Sequence, residues 1–304
     1  MSNPIGGFLL LHKAPQISSH QALAPIKKKF NCKVGHNGTL DPFATGTLVC
    51  AIGQARKYLQ FIRADAKKNY IATIQLGIQT DSGDITGNTI GNEEPPTLLI
   101  RQIKEELQKF IGLIEQTPPI YSALKYKGKP YYHYARAGKE IPIKKRQVVI
   151  ESIEFLEYNK QKNQVRIETC VGSGTYIRSL AEDIAIAFGT VGCLVSLERK
   201  TVEPWSDHHT HLIDEVVNSE RPDALLMPVD SALLHYPHAV FDKKQIEALQ
   251  HGITIENITN HHDKHVRVYN TQNQFKGLVY ICNNSMKAAK MIQHDIEQSP
   301  LSKP

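Results

Sequence analysis

Residues Gly35–Leu48, which read GHNGTLDPFATGTL, form the most informative stretch of the chain. Three glycines, a proline and small hydroxyl side chains impose a specific backbone path around a single acid, Asp41. We expect the apolar residues Leu40 and Phe43 to place its carboxylate at the edge of a hydrophobic pocket. An Asp-Pro pair also starts many ordinary turns, so the residues alone equally allow a structural role for Asp41.

The residues of this loop disfavour two other kinds of chemistry. An aspartyl nucleophile of the phosphatase type needs a second carboxylate two residues further on to hold Mg²⁺, and Phe43 occupies that position. A phosphate-binding loop of the Walker type needs a Gly-Lys-Ser/Thr sequence, which does not occur in the chain. A carboxylate that acts without a metal remains.

The length and composition are those of an ordinary globular protein. The chain has 304 residues, of which 41% are hydrophobic and 22% charged. This length predicts one large domain and a smaller second one. No stretch approaches the roughly 20 apolar residues of a membrane helix, and residues 1–16 lack the order of a secretion signal, so we expect a cytoplasmic protein without membrane contact.

The five cysteines are scattered, which favours buried thiols over disulfides or a thiolate zinc site.

Positive charge is concentrated in clusters in the first half of the chain. There are 36 basic and 30 acidic residues, for a formal net charge of +6. The clusters lie at 27–29, 67–68, 125–129 and 144–146. Several have aromatic neighbours, which suits a groove that follows a phosphate backbone and stacks bases. Any one cluster could be a solvated surface, but four together make RNA a plausible ligand.

Hydrophobic patterning predicts strands and helices in irregular alternation. Strands are predicted at 5–11, 46–52, 70–76, 164–171, 265–269 and 275–281, and helices after Ser18-Ser19, after Gly53, after Thr97, at 175–188 and at 243–250. The polar stretch 81–96 predicts a loop. More than one pair of strands can form an antiparallel hairpin, so the predicted fold class is α+β, with a mixed, largely antiparallel sheet. Beyond about residue 230 the pattern predicts a small, mostly β module.

The loop around Asp41 resembles the signature of the TruB family of pseudouridine synthases. The family pattern is Gly-His-Thr-Gly-x-Leu-Asp-Pro-x-Ala-x-Gly-x-Leu followed by Gly-x-Ala-x-Lys, and here Asn37 replaces the threonine. Further stretches match in the same order, at residues 53–57, 118–125, 134–138 and 172–178. Together the matches span most of residues 5–230.

The resemblance implies an isomerase that breaks the bond from uridine N1 to the ribose and re-forms it at C5, with no cofactor, nucleotide or metal. Asp41 would be the catalytic carboxylate, acting by covalent attack or by proton abstraction, and both routes stay open. Arg178 would keep it ionised, because a nearby cation lowers the pKa of a carboxyl group. Tyr70 would stack on the flipped base and could also move a proton at C5, and Leu197 would pack against the base.

The resemblance also implies a set of residues that contact the RNA. His36 would occupy the space that the flipped nucleotide leaves, and Lys57 would orient the surroundings of Asp41 or a phosphate. The other predicted substrate- or RNA-binding residues are Tyr176, Leu197, Lys125, Arg136 and Arg199.

The implied architecture is a pseudouridine synthase catalytic domain at residues 1–232, followed by a small β-barrel RNA-binding domain of the PUA type at 233–304. Residues 122–146, rich in lysine, tyrosine and arginine, would order over the T arm of tRNA as a thumb loop. The implied substrate is the T-loop uridine of tRNA, position 55 in tRNA numbering. We expect the protein to act as a monomer.

Two alternatives to this function stay open. The first is a related synthase that acts on another RNA, as archaeal and eukaryotic relatives do on guided ribosomal targets, although those relatives carry longer basic tails. The second is a tRNA-binding chaperone with an idle site, which the presence of Asp41, Tyr70 and Arg178 disfavours.

Two groups of histidines could suggest a metal site. They lie at residues 208–211 and 261–265, in polar stretches. We find no carboxylate or cysteine partner at helical spacing from either group, so we interpret both as loop histidines and predict no metal site.

Overall fold

The computed structural model describes residues 6–293. Its strands are β1 (Phe8–Lys13), β2 (Val34–Asn37), β3 (Thr45–Ile52), β4 (Lys68–Leu76), β5 (Ile78–Thr80), β6 (Thr89–Asn92), β7 (Gly112–Gln116), β8 (Lys125–Tyr126), β9 (Lys129–Pro130), β10 (Arg146–Asn159), β11 (Gln164–Val171), β12 (Gly192–Val202), β13 (His211–Leu212), β14 (His238–Phe241), β15 (Ile255–Glu256), β16 (His265–Asn270), β17 (Phe275–Cys282) and β18 (Ser285–Met291). Its α-helices are α1 (Ser19–Phe30), α2 (Ile100–Gln108), α3 (Tyr131–Arg136), α4 (Ile177–Ala187), α5 (Ile213–Asn218) and α6 (Lys243–Gln250), and 3-10 helices lie at Gly53–Phe61, Pro222–Leu225 and Val229–Leu233. No helix within residues 6–293 is long and apolar enough to cross a membrane.

Nine strands form the main sheet. Their order is β13-β1-β3-β12-β4-β11-β10-β7, with β2 paired to β3 outside this path. Neighbouring strands are antiparallel except for the pairs β1–β13 and β3–β12. This mixed, largely antiparallel sheet confirms the predicted α+β class.

A second, five-stranded sheet lies in the C-terminal region. Its order is β14-β16-β17-β18-β15, and only β14 and β16 run parallel. It packs against the main sheet through an apolar cluster in which Leu278 and Ile292 join Tyr58. Tyr58 also donates a hydrogen bond of 3.1 Å from its hydroxyl to the carbonyl of Lys290. The boundary at residue 232 and the PUA type of this module stay predictions.

Strand β1 is buried on both faces, as its unbroken apolar run predicts. Leu9 and Leu11 belong to a core cluster shared with α1 and α4 on one side of the main sheet. Phe8 and Leu10 point to the other side, where they join a cluster that contains Trp205. Because both faces are covered, β1 has little freedom to move, and the residues at its end are held firmly.

Strand β4 shows the predicted alternation. Tyr70, Ala72, Ile74 and Leu76 are all buried, whereas the residues between them are half-exposed. Successive side chains of a strand point to opposite faces, so the buried set lies on one face of the sheet, against the core cluster that includes α4. Tyr70 is therefore directed to the same side of the sheet as the helix that carries Arg178.

Several predicted elements differ from the structure. The predicted loop at 81–96 contains β6, which pairs with β5 in a polar hairpin that has no apolar face to reveal it. The helix expected to be capped by Thr97 begins only at Ile100, because Leu98 is buried in the core and the Gln102 side chain accepts a hydrogen bond from the Leu99 amide. The helix after Gly53 is of the 3-10 type, and the glycine-rich connection before it contains β2.

Candidate active site

Asp41 lies in the connection between β2 and β3, where the backbone path depends on glycine. Gly46 has a φ of +97°, and a Cβ at this position would lie 2.3 Å from the carbonyl oxygen of Arg199. Gly38 has a φ of +69° and is close to the Arg199 guanidinium. Left-handed backbone and close packing of this kind require glycine, which explains the glycines that frame the acid in the sequence.

Three side chains hold the loop in place. Ser19 donates a hydrogen bond from its hydroxyl to the Leu40 carbonyl at 3.0 Å and accepts one from the Leu40 amide at 2.9 Å. The buried ammonium of Lys13, at the end of β1, donates to the Pro42 carbonyl at 3.1 Å. Burial lowers the pKa of Lys13 to about 8, although the nearby Asp41 carboxylate works in the opposite direction. The residues on both sides of Asp41 are thus tied to α1 and β1.

Arg199 is the third of these side chains. It is 2% exposed, and its guanidinium donates to the Thr47 carbonyl and to the Gly38 carbonyl, both at 2.7 Å. It lines the cavity at Asp41, but these two bonds make it a support for the loop. A direct contact between Arg199 and RNA stays a prediction.

Asp41 forms an ion pair with Arg178, as predicted from the sequence resemblance. Arg178 Nε lies 3.0 Å from Asp41 Oδ2, although the direction of its N–H does not make this contact a hydrogen bond. Arg178 Nη2 donates to Asp41 Oδ1 at 3.3 Å. The Arg178 side chain is 5% exposed, whereas 35% of the Asp41 side chain faces the cavity. The cation is buried, and the carboxylate is accessible to a substrate.

Arg178 is itself held by groups from two other segments, residues 82–84 and Tyr121. It donates to the Ser82 carbonyl at 2.7 Å and to the Tyr121 carbonyl at 2.8 Å. A second carboxylate, Asp84 Oδ2, lies 3.9 Å from Arg178 Nη1 and is almost fully buried. Asp84 in turn accepts a hydrogen bond from the Thr86 amide at 3.0 Å. The sequence reasoning did not find Asp84 or Ser82, because they lie in the stretch interpreted as a polar loop.

The charge balance around Asp41 combines opposing effects. Burial raises the pKa of the Asp41 carboxyl group, and the negative charge of Asp84 raises it further. The positive charge of Arg178 and its hydrogen bond, together with Lys13, lower that pKa. Arg178 therefore opposes the cost of holding an ionised carboxylate in this environment.

The cavity at Asp41 has a volume of about 380 Å³ and brings together six of the ten predicted site residues. Those six are Asp41, Tyr70, Tyr176, Arg178, Leu197 and Arg199. Tyr70 and Leu197 are each 7% exposed and supply apolar surface at the wall. Tyr176 precedes α4, and its ring lies beneath the guanidinium of Arg146 at 5.8 Å. The site thus offers one carboxylate, one buried cation and apolar and aromatic walls.

Lys68 also lines the cavity and was missed as a site residue. The sequence reasoning placed it with Lys67 in a basic cluster, but the two differ in the structure. Lys67 is paired at 3.1 Å with Glu151 on the surface. Lys68 instead donates to the Ser173 hydroxyl at 3.1 Å, and burial lowers its pKa to about 8, with the nearby Arg199 charge contributing.

His36 and Lys57 do not line the cavity. His36 lies on β2, half-buried opposite Cys50, and its Nδ1 is buried with no hydrogen-bond partner within residues 6–293. Burial, followed by the charges of Arg199 and His20, lowers the pKa of His36. Lys57, in the 3-10 helix, is 3.4 Å from the side-chain oxygen of Gln54. Their predicted RNA contacts stay predictions.

The segment 122–146 forms a short hairpin and a helix beside the cavity. Strands β8 and β9 pair, α3 follows, and Tyr132 of α3 lines the cavity. The Arg136 guanidinium lies over the Tyr132 ring at 5.5 Å. Lys125 is exposed on β8. This segment therefore places the Tyr132 ring at the cavity that contains Asp41, with the Arg136 guanidinium beside that ring.

A larger cavity, of about 570 Å³, lies on the other side of the main sheet. It is lined by Ile71, which alternates with Tyr70 along β4 and so points to the opposite face. Two carboxylates line it, Glu157 and Glu198, and Glu198 forms an ordinary surface ion pair with the exposed Lys200 at 3.2 Å. Among the described residues neither of these carboxylates has a buried cation beside it, whereas Asp41 does.

Comparison with known proteins agrees with this geometry. Residues 26–177 match the family described as TruB family pseudouridylate synthase (N terminal domain). The chain is 35% identical over 297 residues to the tRNA pseudouridine synthase B of Francisella tularensis subsp. tularensis (strain WY96-3418), with 96% of each chain covered. It is 43% identical over 230 residues to the tRNA pseudouridine synthase B of Bordetella avium (strain 197N), covering 75% of this chain and 93% of the other.

The fold is also similar to that of solved structures. In a crystal structure of a Cbf5-Nop10-Gar1 complex, the similar chain has a TM-score of 0.71 at 22% identity, with 95% of this chain and 85% of that chain covered. At such low identity the similarity shows the fold alone. The match over residues 26–177 and the 35% identity along nearly the whole chain confirm the resemblance found in the sequence, and the chain belongs to the TruB family of pseudouridylate synthases.

Proposed function

We propose that this chain isomerises the T-loop uridine of tRNA, position 55 in tRNA numbering, to pseudouridine. The observation that carries the proposal is the ion pair of Asp41 with the buried Arg178, at 3.0 Å, in a cavity with apolar and aromatic walls. The relatives named tRNA pseudouridine synthase B support tRNA as the substrate. The choice of the T-loop uridine rests on the family resemblance.

The reaction consumes no external reagent. The bond from N1 to C1′ breaks, a bond from C5 to C1′ forms, C5 loses its proton and N1 gains one. Asp41 starts this sequence as an ionised carboxylate, either by covalent attack or by taking a proton. Arg178 favours the ionised form and orients it, because two of its nitrogens face the two carboxylate oxygens.

The uridine reaches Asp41 only after its base has left the stack of the RNA. Tyr70 and Leu197 form walls of the cavity and provide a stacking ring and an apolar surface for the flipped base. Base–aromatic stacking contributes about 1–3 kcal/mol per base, of the same order as the cost of unstacking. A Tyr70→Leu variant should therefore bind RNA more weakly. A Tyr70→Phe variant keeps the ring but lacks the hydroxyl, so it tests separately whether the hydroxyl takes part in proton transfer.

The surface beside the cavity carries the charge that RNA binding needs. In the thumb segment 122–146 the basic residues are Lys125, Lys127, Lys129, Arg136, Lys139, Lys144, Lys145 and Arg146, against one acid, Glu140. We assign this segment to the T arm of tRNA and the five-stranded sheet to a PUA-type RNA contact. Binding to phosphates makes the affinity fall steeply as salt concentration rises. We further propose that the protein acts as a monomer in the cytoplasm, without a cofactor.

A second candidate is the same chemistry on a different RNA. A structure with a TM-score of 0.71 and 20% identity is described as an H/ACA RNP bound to a substrate RNA containing 2'-deoxyuridine. At this low identity the similarity shows a shared fold only. The relatives at 35–43% identity are named tRNA pseudouridine synthase B. We therefore favour tRNA. A tRNA chaperone with an idle site is the remaining alternative, and the intact Asp41–Arg178 pair speaks against it.

The test uses an unmodified tRNA transcript, incubated with the protein in a chelator and without nucleotide, followed by mapping of pseudouridine. We expect product at the T-loop uridine with the unaltered protein. Asp41→Asn keeps the size of the side chain but removes its charge, and we expect no product with unchanged RNA affinity. Asp65→Asn is the matched control, because this exposed carboxylate pairs with Arg63 on the surface, outside the cavity.

Each other outcome contradicts part of the proposal. Full activity of Asp41→Asn, or a strict need for metal, rejects the assignment of the carboxylate. Product only in other RNAs favours the second candidate, and binding without product by the unaltered protein favours the chaperone.

A further inference from the structure

Three potential metal ligands lie together at the junction of β13 and α5. His209 and His211 are two residues apart in extended chain, and their rings lie with centroids 5.2 Å apart. Glu215 is in the first turn of α5, four residues after His211. The donor atoms of the three side chains all lie within 4.8 Å of one another. None of these residues lines the cavity at Asp41.

The distances suit a small transition-metal ion after minor side-chain rotation. Zinc binds imidazole nitrogen and carboxylate oxygen at about 2.0–2.2 Å, which puts two ligands of a tetrahedral site about 3.3 Å apart. His211 Nδ1 now lies 2.6 Å from Glu215 Oε1. This contact must lengthen slightly, and the other donor atoms, which lie within 4.8 Å of one another, must approach for one ion to bind all three.

Two of the three ligands are held by regular structure. His211 pairs with Leu11 of β1 in the main sheet. Glu215 accepts a hydrogen bond from the Leu212 amide at 3.3 Å through its other carboxylate oxygen. Only His209 lies on the loop before β13, so an ion has one mobile ligand to order.

We propose that His209, His211 and Glu215 form a binding site for a zinc-class divalent ion, with water at the fourth position. Two imidazoles and one carboxylate suit zinc, nickel or cobalt, whereas calcium and magnesium prefer a set of oxygen ligands. The ion ties α5 to β13, the edge strand of the main sheet, which pairs with β1. Its role is structural, because the site lies outside the cavity that carries the chemistry.

This proposal corrects one part of the sequence reasoning. The histidines at 208–211 were interpreted as loop residues because they lie in a polar stretch, which overlooked Glu215 at helical spacing from His211. Within residues 6–293, His209 and His211 belong to a cluster of three potential metal ligands, whereas the histidines at 261–265 belong to no such cluster. The group at 261–265 therefore serves as a control.

The experiment uses the full chain without a histidine tag, stripped with a chelator and dialysed, and then titrated with Zn²⁺ by calorimetry. We expect one site per chain. Glu215→Gln keeps the shape of the side chain. We expect this variant and His209→Ala each to weaken Zn²⁺ binding at least about 10-fold, because the loss of a residue that only hydrogen-bonds to a metal ligand already weakens metal binding by about that factor. The matched control is the double variant His261→Ala/His262→Ala, which should bind Zn²⁺ as the unaltered chain does.

A second measurement follows thermal unfolding. Zn²⁺ at a hundredfold excess over its Kd should raise the Tm of the unaltered chain by about 4 °C, as expected for binding to the folded state of a chain of this size. Glu215→Gln should show no such rise. Zn²⁺ binding and Tm are measured without RNA, so this test is independent of the proposed function. Absence of binding, equal binding by Glu215→Gln, or loss of binding only in the His261/His262 control would overturn the proposal.

Discussion

Arg178 and Asp41 are separated by 137 positions in the sequence, yet two nitrogens of one face the two carboxylate oxygens of the other. The arginine is almost fully buried, and main-chain carbonyls from two further segments hold it. The pair therefore depends on the assembled fold, and its electrostatic effect is the strongest influence opposing the burial of Asp41. The following predictions concern this pair and its surroundings.

Replacing Arg178 by Gln should shift the pH dependence of the reaction. Burial and the charge of Asp84 raise the pKa of Asp41, and the Arg178 cation opposes both effects. Removal of this cation therefore raises the pKa of Asp41 further. Under the proposed mechanism the ionised carboxylate of Asp41 reacts, so the acidic limb of kcat/KM should move to higher pH, and kcat should fall on the order of 100-fold. Arg178→Lys keeps a charge and should shift the limb less. Identical acidic limbs in all three proteins would contradict this account.

Replacing Asp84 by Asn should move the same limb in the other direction. The Asp84 charge raises the pKa of Asp41, so its removal lowers that pKa and extends activity to lower pH. This variant also removes the carboxylate charge that lies 3.9 Å from Arg178 Nη1 and helps to orient the guanidinium. We therefore expect kcat to fall about 10-fold, equivalent to about 1.4 kcal/mol. Pre-steady-state rates across pH measure both effects. Glu94→Gln, at an exposed carboxylate that follows β6, should change neither.

Lys68 should contribute to substrate binding in its charged form. Its pKa is lowered to about 8, so it loses its charge as pH rises through that value, and kcat/KM should decline there. Lys68→Met should raise KM about 10-fold with little change in kcat and reduce the salt dependence of binding by about one phosphate contact. Lys67→Met is the matched control, because Lys67 pairs with Glu151 on the surface. Equal effects of the two variants would remove Lys68 from the site.

Replacing Gly46 by Ala should destabilise the fold at the active loop. The added Cβ meets the Arg199 carbonyl oxygen at 2.3 Å in a backbone conformation that disfavours side chains, and we expect a loss of more than about 1 kcal/mol in the free energy of unfolding. Gly189→Ala separates the two causes, because Gly189 also has a positive φ, +80°, but has nothing within 4 Å of the added Cβ. Urea denaturation measures the difference. If the two variants are equally stable, the contact with Arg199 is unimportant.

Local sequence patterns predicted the elements that have one clearly apolar face. The alternation along β4 placed Tyr70 on the buried side, and the capping residue Ser18 marked the start of α1. The 14-residue strand β10 and the β5–β6 hairpin were not predicted. Their stability comes from hydrogen bonds to neighbouring strands and not from a local pattern, so only the assembled sheet reveals them.

The sequence by itself determined the glycine-framed loop, the acid within it and the family to which the chain belongs. Only the tertiary structure decided which charged residues are buried or line the cavity and which lie on the surface. Lys67 and Lys68 are neighbours of the same type, yet one is a surface ion-pair partner and the other lines the cavity. Lys13 and Arg199 are buried supports of the loop. The physical reason is that the pKa and contacts of a charged group depend on how much protein surrounds it, and distant segments supply that protein.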